Sequence, residues 1–484
     1  MTPAPAPAGT TAPATSTAPA TDTAHGTAVP LRPRNDPSAA RRFALSARTT
    51  KGAGPRTEDV PDWLDARAEA HHFRVEPIPF DRLDGWSFED GTGNLVHRSG
   101  RFFTIEGLHV TRDEGPFREW RQPVIDQPEV GILGILVKEF DGVLHCLMQA
   151  KMEPGNPNLL QLSPTVQATR SNYTKVHGGA AVRYLEHFTD ARPGQVVADV
   201  LQSEHGAWFL RKSNRNMIVE TTEDVPLGDD FCWLTLGQLG ELLRHDNVVN
   251  MDARTVLACA PIERDEDSAL HSDTELRSWI TAERSRHDVR VRRIPLADTD
   301  GWERGPHSID RPDGRYFRVM AVSVQAASRE VTSWTQPLVQ PLGLGVTALL
   351  TRRFSGVPHV LVHARVEGGF LDTIELAPTV QCTPENYTSL TGADRPPFLD
   401  LVLGADPGQV RYEAVHSEEG GRFYHAESRY LIMDVDEEQA PADPPPGYRW
   451  VTPGQLSSLV RHGHYVNVQA RSLLACLNTL AAPC

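Results

Sequence analysis

At 484 residues with 39% apolar side chains, the chain is long enough for two or three domains with substantial cores. Its formal charge of −15, compensated by no basic block or stripe, argues against nucleic acid as a partner, so any phosphate must be held by local arginines and lysines. The longest apolar run, residues 130–137, is eight residues with two glycines, far short of a membrane span.

Residues 1–55 are rich in Ala, Thr and Pro, with almost no large apolar residue before Phe43. They read as a disordered tail, and they lack the charged start and apolar core of a secretory signal. Residues 59–72 are expected to be helical, anchored weakly by Trp63, Leu64 and Ala68, and 73–86 to form a strand and turn. Strands follow at 102–110 and 130–137, the second buried. The stretch 145–173, HCLMQAKMEPGNPNLLQLSPTVQATRSNY, then returns without a gap at 359–387 as HVLVHARVEGGFLDTIELAPTVQCTPENY, with thirteen of 29 positions identical. The chain is a tandem duplication. Its flanks repeat as well: residues 59–72 at 273–287, Gly85-Trp86 at Gly301-Trp302, Trp120-Arg121-Gln122-Pro123 at Trp334-Thr335-Gln336-Pro337, and 233–245 at 450–462. Thr235 and Thr452 are suited to cap the helices in that last pair, and a final helix at 253–260 recurs at 470–477. Helix, many strands and two helices per copy make an α+β arrangement. The boundaries are a tail at 1–55, an N-terminal repeat at 56–265 and a C-terminal repeat at 266–484.

The repeated stretch opens with period-two alternation, as a two-faced strand requires. Leu144, Cys146, Met148, Ala150 and Met152 form an apolar face; His145, Gln149, Lys151 and Glu153 fall on the other, with Leu147 among them. The same His and Glu recur in the second copy, which favours a cavity wall over a solvated surface. Pro154-Gly155-Asn156-Pro157 turns the chain, and Thr169 is placed to cap a short helix starting at Arg170, as Thr383-Pro384-Glu385 does in the copy. A helix start offers backbone N–H groups to anions. The six cysteines show no CxxC or CxxxH spacing, so free thiols in a reducing cytosol are expected.

EWRQPVIDQPEVGILGILVKEFDGVLHCLMQAKMEPGN (119–156) and LQLSPTVQATRSNYTKVHGG (160–179) resemble the NDP-4-keto-6-deoxyhexose 2,3-dehydratases of deoxysugar biosynthesis, over roughly residues 60–484. The resemblance implies two related Nudix-like halves, a homodimer, dTDP-4-keto-6-deoxy-D-glucose as substrate, and a 3,4-diketo-2,6-dideoxy product passed to a ketoreductase. It implies no metal and no nicotinamide for this step. The GX5EX7REUXEEXGU box of true Nudix hydrolases is not found, which removes the acidic ligand cluster of a magnesium-dependent pyrophosphohydrolase. A non-catalytic dTDP-sugar-binding scaffold is the other alternative.

Such a dehydration needs a base at C3, donors to the C4 enolate oxygen and an acid for the C2 hydroxyl. Glu153 is the first candidate for base or acid. His145 lies about 26 Å away along an extended strand, too far to serve the same carbon, and reads as structural. Tyr173 can donate to the enolate and His177 can protonate the leaving group. Lys151 and Arg170 are the local cations for pyrophosphate, with Lys175 and Arg215 behind them. Gln149, Gln161, Gln167 and Asn172 can read base or sugar hydroxyls, and Trp120 can stack, as can Trp208 or Trp334. In the copy Arg170 becomes Pro384 and Lys175 has no evident equivalent. The N-terminal repeat is therefore expected to hold the working pocket, the C-terminal one a scaffold or vestigial nucleotide site.

Overall fold

The computed structural model describes residues 37–169, 182–192, 194–262, 267–326 and 332–480. The N-terminal part opens with α1 (Pro37–Arg48), α2 (Val60–Ala70) and β1 (Phe73–Ile78), then β2 (Trp86–Phe88), β3 (Leu95–His97), β4 (Thr104–Arg112) and β5 (Glu119–Asp126). A larger sheet follows, from β6 (Ile132–Phe140), β7 (Val143–Met152), β8 (Leu160–Ser163) and β9 (Val166–Ala168). After α3 (Glu186–Thr189) come β10 (Val196–Ser203), β11 (Ser213–Glu220) and β12 (Phe231–Leu234), closed by α4 (Leu236–Leu242) and α5 (Met251–Leu257).

The second repeat begins with α6 (Asp273–Arg286), β13 (Val289–Ile294), β14 (Glu303–Arg304), β15 (Ser308–Asp310), β16 (Phe317–Ala326) and β17 (Ser333–Pro341). Its larger sheet holds β18 (Gly345–Phe354), β19 (Val357–Arg365), β20 (Glu375–Ala377) and β21 (Val380–Cys382). Then come α7 (Leu399–Leu403), β22 (Val410–Ser417), β23 (Glu427–Asp434), β24 (Tyr448–Val451), α8 (Pro453–Val460) and α9 (Val468–Thr479).

The larger sheets are ordered β10-β11-β6-β7-β12 and β22-β23-β18-β19-β24, each with two short strands paired to its centre. β6–β11 and β18–β23 are parallel pairs in otherwise antiparallel sheets. The structure is thus mixed α and β with two like halves. Leu144, Cys146, Met148, Ala150 and Met152 share one core with Leu239, Leu242 and Val256 and, from the second repeat, Leu349, Val360, Leu376 and Leu473. Thr235 and Thr452 accept from the backbone N–H of Gln238 and Gln455, whose side chains return to the cap, completing a capping box at α4 and at α8.

The repeats are not separate lobes. β1 leaves its own repeat and pairs with β16, Phe73 opposite Ala326 through Ile78 opposite Ala321, while β13 pairs with β4, Val289 opposite Arg112 through Ile294 opposite Gly107. The turn after each central strand docks on a loop of the other repeat. Gly155 donates to the Gly420 carbonyl and accepts from His425 N–H, each at 2.7 Å; Gly369 does the same with Gly206 and Arg211. A β-carbon on either glycine would lie 1.7 Å from a carbonyl oxygen, of Phe423 or Phe209, so only glycine fits. Fully buried Arg254 on α5 donates to the Ser417 carbonyl at 2.7 Å, and its counterpart Arg471 on α9 to that of Ser203 at 2.5 Å.

Residues 37–55 depart from the tail expectation. α1 buries Phe43 and Ala44, and Ser46 donates to the Leu144 carbonyl at 2.6 Å. The following strap is tied by Gln238 to the Pro55 carbonyl at 2.8 Å, and Ala53 N–H donates to His145 Nε2 at 2.9 Å. Composition missed these residues because one aromatic anchor and a set of hydrogen bonds between side chains and backbone suffice to hold them. Gly237 abuts the strap's Thr49 and Ala47 carbonyls. Gly454, at the equivalent place, lines a cavity of about 480 Å³ instead, with Ile262, His271 and Ser458. Among the described residues no helix is long and apolar enough to cross a membrane.

Phe43→Ala is expected to lower unfolding free energy by about 3–5 kcal/mol in urea titrations. Gly155→Ala should destabilise by about 3 kcal/mol or more, because a backbone carbonyl must move. Gly305→Ala, whose nearest non-adjacent atom is 3.6 Å from the added carbon, should have little effect in the same titration.

Candidate functional site

The polar face of β7 changes character along its length. His145 is buried and holds the strap, its Nδ1 beside the Val143 carbonyl at 2.9 Å, and burial lowers its pKa. Leu147 enters a core with Phe231 and Trp233. Gln149 and Lys151 are half-buried, and Glu153, just past the strand, is buried. Ser163 donates to Gln167 Oε1 at 3.1 Å, which turns the Gln167 amide nitrogen onto Glu153 Oε1 at 2.7 Å. Lys151 Nζ lies 3.9 Å from the same oxygen. Glu153 Oε2 is buried with no protein partner.

The copy repeats this arrangement more tightly. Arg365 donates to Glu367 Oε1 at 2.6 Å and to the Gln381 carbonyl at 3.0 Å, while Gln381 donates to Glu367 at 3.1 Å. Around it lie Arg112, over the Trp120 ring at 5.6 Å, and His363, stacked on Tyr448 at 4.4 Å. Burial beside Arg365 pushes the His363 pKa down to about 3, leaving a neutral imidazole.

The exchanged loops make the two pockets different. Over Glu153 lies the loop 418–422 of the C-terminal repeat, bringing Glu419 and Arg422; over Glu367 lies 204–208, bringing His205 and Trp208 at the same places. A β-carbon on Gly421 would sit 2.9 Å from Glu419 Oε1 and 3.7 Å from Glu153 Oε1, so both carboxyl groups border one space. Arg422 donates to Gln127 Oε1 at 3.0 Å and rests on the Phe103 ring. Lys212, Glu204 and Asp252 complete the charged set, whereas the second pocket has Ala426 in place of Lys212 and Gln469 in place of Asp252. Burial raises the Glu419 pKa to about 7, with Arg422 and Lys212 opposing and the Glu204 and Glu153 carboxylates adding to it. Asp252 is raised well above the usual carboxylate range by burial, then by Glu419, Glu153 and Glu204. His205, by contrast, is held at 2.8 Å by Glu418.

Of the residues expected from sequence, the structure brings together Lys151, Glu153 and Gln167, with Gln149 on the same strand face. Gln161 is fully buried and spent on Ser417 at 2.9 Å and Asn158 at 2.9 Å, a brace between repeats. Arg215 lies at the sheet surface, paired with Asp199 at 2.6 Å. Trp120 stands beside Gly368 of the other repeat, because β5 packs across the exchange, and so belongs to the second pocket. Arg170, Asn172, Tyr173, Lys175 and His177 lie outside the described residues. In the copy, Pro384–Tyr387 forms a 3₁₀ turn without a side-chain cap from Thr383. Sequence reasoning missed Glu204, Lys212, Asp252, Glu419 and Arg422. For four of these a signal existed: they are ionisable positions whose repeat counterparts are His205, Trp208, Ala426 and Gln469.

A duplicated mixed α/β chain whose pockets set a carboxylate against an oriented amide and a cation has the equipment of a proton-transfer enzyme. The model of the NDP-hexose 2,3-dehydratase family matches residues 57–260 and again 273–477, and the chain belongs to that family. It is 64% identical over 461 residues, 94% of this chain and 97% of the relative, to a dTDP-4-dehydro-6-deoxy-alpha-D-glucopyranose 2,3-dehydratase of Amycolatopsis orientalis. Proteins of the same name from Saccharopolyspora spinosa and Streptomyces violaceoruber are each 51% identical, covering 94% and 86% of this chain and 97% and 96% of theirs.

Proposed function

We propose that the chain removes the C2 hydroxyl of dTDP-4-keto-6-deoxy-D-glucose as water, in the pocket of the N-terminal repeat, giving the 3,4-diketo-2,6-dideoxy sugar nucleotide. Family membership and the names of the relatives support the substrate and the reaction. The observation that carries the choice of pocket is Glu153: buried, with one oxygen fixed by Gln167 and the other unpartnered, in a charged set whose Lys212 and Arg422 give way to Ala426 and Trp208 in the second pocket. The 4-ketone acidifies the C3 proton and Glu153 accepts it. The enolate expels the C2 oxygen, and the enol becomes the 3-ketone. Lys151, Lys212 and Arg422 bind the diphosphate or offset the enolate charge. Arg170 joins them, with Tyr173 as an enolate donor and His177 as a further acid. The second pocket, with Arg112, Arg365 and Trp120, is a scaffold or a vestigial nucleotide site.

The parallel pair at the centre of each larger sheet, flanked by helices, supports a Nudix-like reading of the halves. A cytoplasmic homodimer handing a labile diketone to a ketoreductase completes the proposal.

Glu153→Gln should lower the dehydration rate by about 10²–10⁴-fold in a discontinuous assay of the ketosugar nucleotide. Lys151→Ala should raise KM and Arg170→Ala abolish turnover, while Arg365→Ala keeps most of it. The reverse pattern across the repeats would place the reaction in the C-terminal pocket.

A further inference from the structure

Resting on that reading of the N-terminal pocket, we propose that Glu419, supplied by the C-terminal repeat, is the acid that protonates the departing C2 hydroxyl while Glu153 removes the C3 proton. Two carboxyl groups border one space, and elimination of water needs one of them ionised and the other protonated. Glu153 has Lys151 Nζ at 3.9 Å and the Gln167 amide nitrogen at 2.7 Å on one oxygen and leaves the other without a protein partner, the geometry of a proton acceptor. Glu419 sits on the loop that Gly155 and Gly420 clamp to the Glu153 turn, so its backbone position is fixed by the docking hydrogen bonds. Its side chain is half-buried and faces Glu153, Glu204 and Asp252 along with Arg422 and Lys212. Burial, with the Glu204 and Glu153 carboxylates adding to it, outweighs Arg422 and Lys212 and raises the Glu419 pKa to about 7, so that it holds its proton toward neutral pH. Two carboxyl groups in unlike surroundings, one set among donors and the other buried beside carboxylates, can divide into base and acid. The other pocket has His205 at this position, engaged with Glu418.

The step balances. The C3–H bond breaks with its proton passing to Glu153, and the electron pair forms the enolate. Collapse of the enolate breaks the C2–O bond, and the oxygen leaves with the Glu419 proton as water. The enol then takes the Glu153 proton at C2 and returns its hydroxyl proton to Glu419, so the net change is loss of one water.

Glu419→Gln keeps the shape and removes the acid. In deuterium oxide, substrate recovered from this variant should show C3 hydrogen exchanged for deuterium, because the base remains, while dehydration falls by about 100-fold or more. A substrate with fluoride in place of the C2 hydroxyl, which needs less protonation to depart, should recover most of the lost rate. The wild-type kcat/KM should fall above about pH 7 as Glu419 loses its proton, and the variant should lack that limb. Dehydration within fivefold of wild type, or loss of C3 exchange together with dehydration and no rescue by fluoride, would overturn the assignment. Glu419→Asp, which retains the proton, should keep measurable turnover and so separates chemistry from folding. Failure of the underlying reading is distinguishable: it would show as Glu153→Gln retaining both exchange and dehydration.

Discussion

The structure depends on a reciprocal backbone contact at two glycines. Gly155 and Gly369 each press against a loop of the opposite repeat, close enough that any side chain would overlap a carbonyl oxygen. The contact satisfies buried N–H and C=O groups that would otherwise be orphaned, at a cost of about 1–3 kcal/mol each. It also places the 418–422 loop over Glu153 and the 204–208 loop over Glu367. Arg254 and Arg471 reinforce the arrangement from below, each filling its donors with carbonyls of both repeats. Neither pocket is the property of one repeat.

The exchange explains how two pockets with the same frame carry different chemistry. The Glu–Gln pair and a cation are kept in both, since they are built into the strand and turn that fold the repeat. What differs arrives from across the interface or from the helix start: Glu419 and Arg422 against His205 and Trp208, and Asp252 against Gln469. The first pocket thereby gains two carboxyl groups, Asp252 and Glu419, whose pKa values burial raises. The second becomes a cationic and aromatic hollow with a neutral His363.

Much of this was legible in the sequence. The duplication, the faces of the central strand and the Thr235 and Thr452 caps follow from spacing and repetition, because local hydrogen bonding and period-two burial determine them; the bond from Gln167 to Glu153 does not, because the two meet only when the turn folds back. The crossing of β1 and β13 was not legible. A strand that pairs within its own repeat and one that pairs with the copy bury the same residues, so alternation cannot tell them apart. The same crossing sets Trp120 beside Gly368 of the other repeat and turns Gln161 to brace Ser417, neither of which the alternation of their own strands reveals. Residues 37–55 have the composition of a tail, but buried Phe43 and the bonds of Ser46, Ala53 and Pro55 hold them to the fold.

The strand crossing also bears on how asymmetry arose. In a symmetric pair of separate polypeptides, any substitution lands in both active centres at once, and a glutamate gained by one is forced on the other. Joining the two copies head to tail, with each still completing its sibling, frees a histidine and a glutamate to occupy equivalent places. One centre can then specialise while the other preserves the architecture that both require.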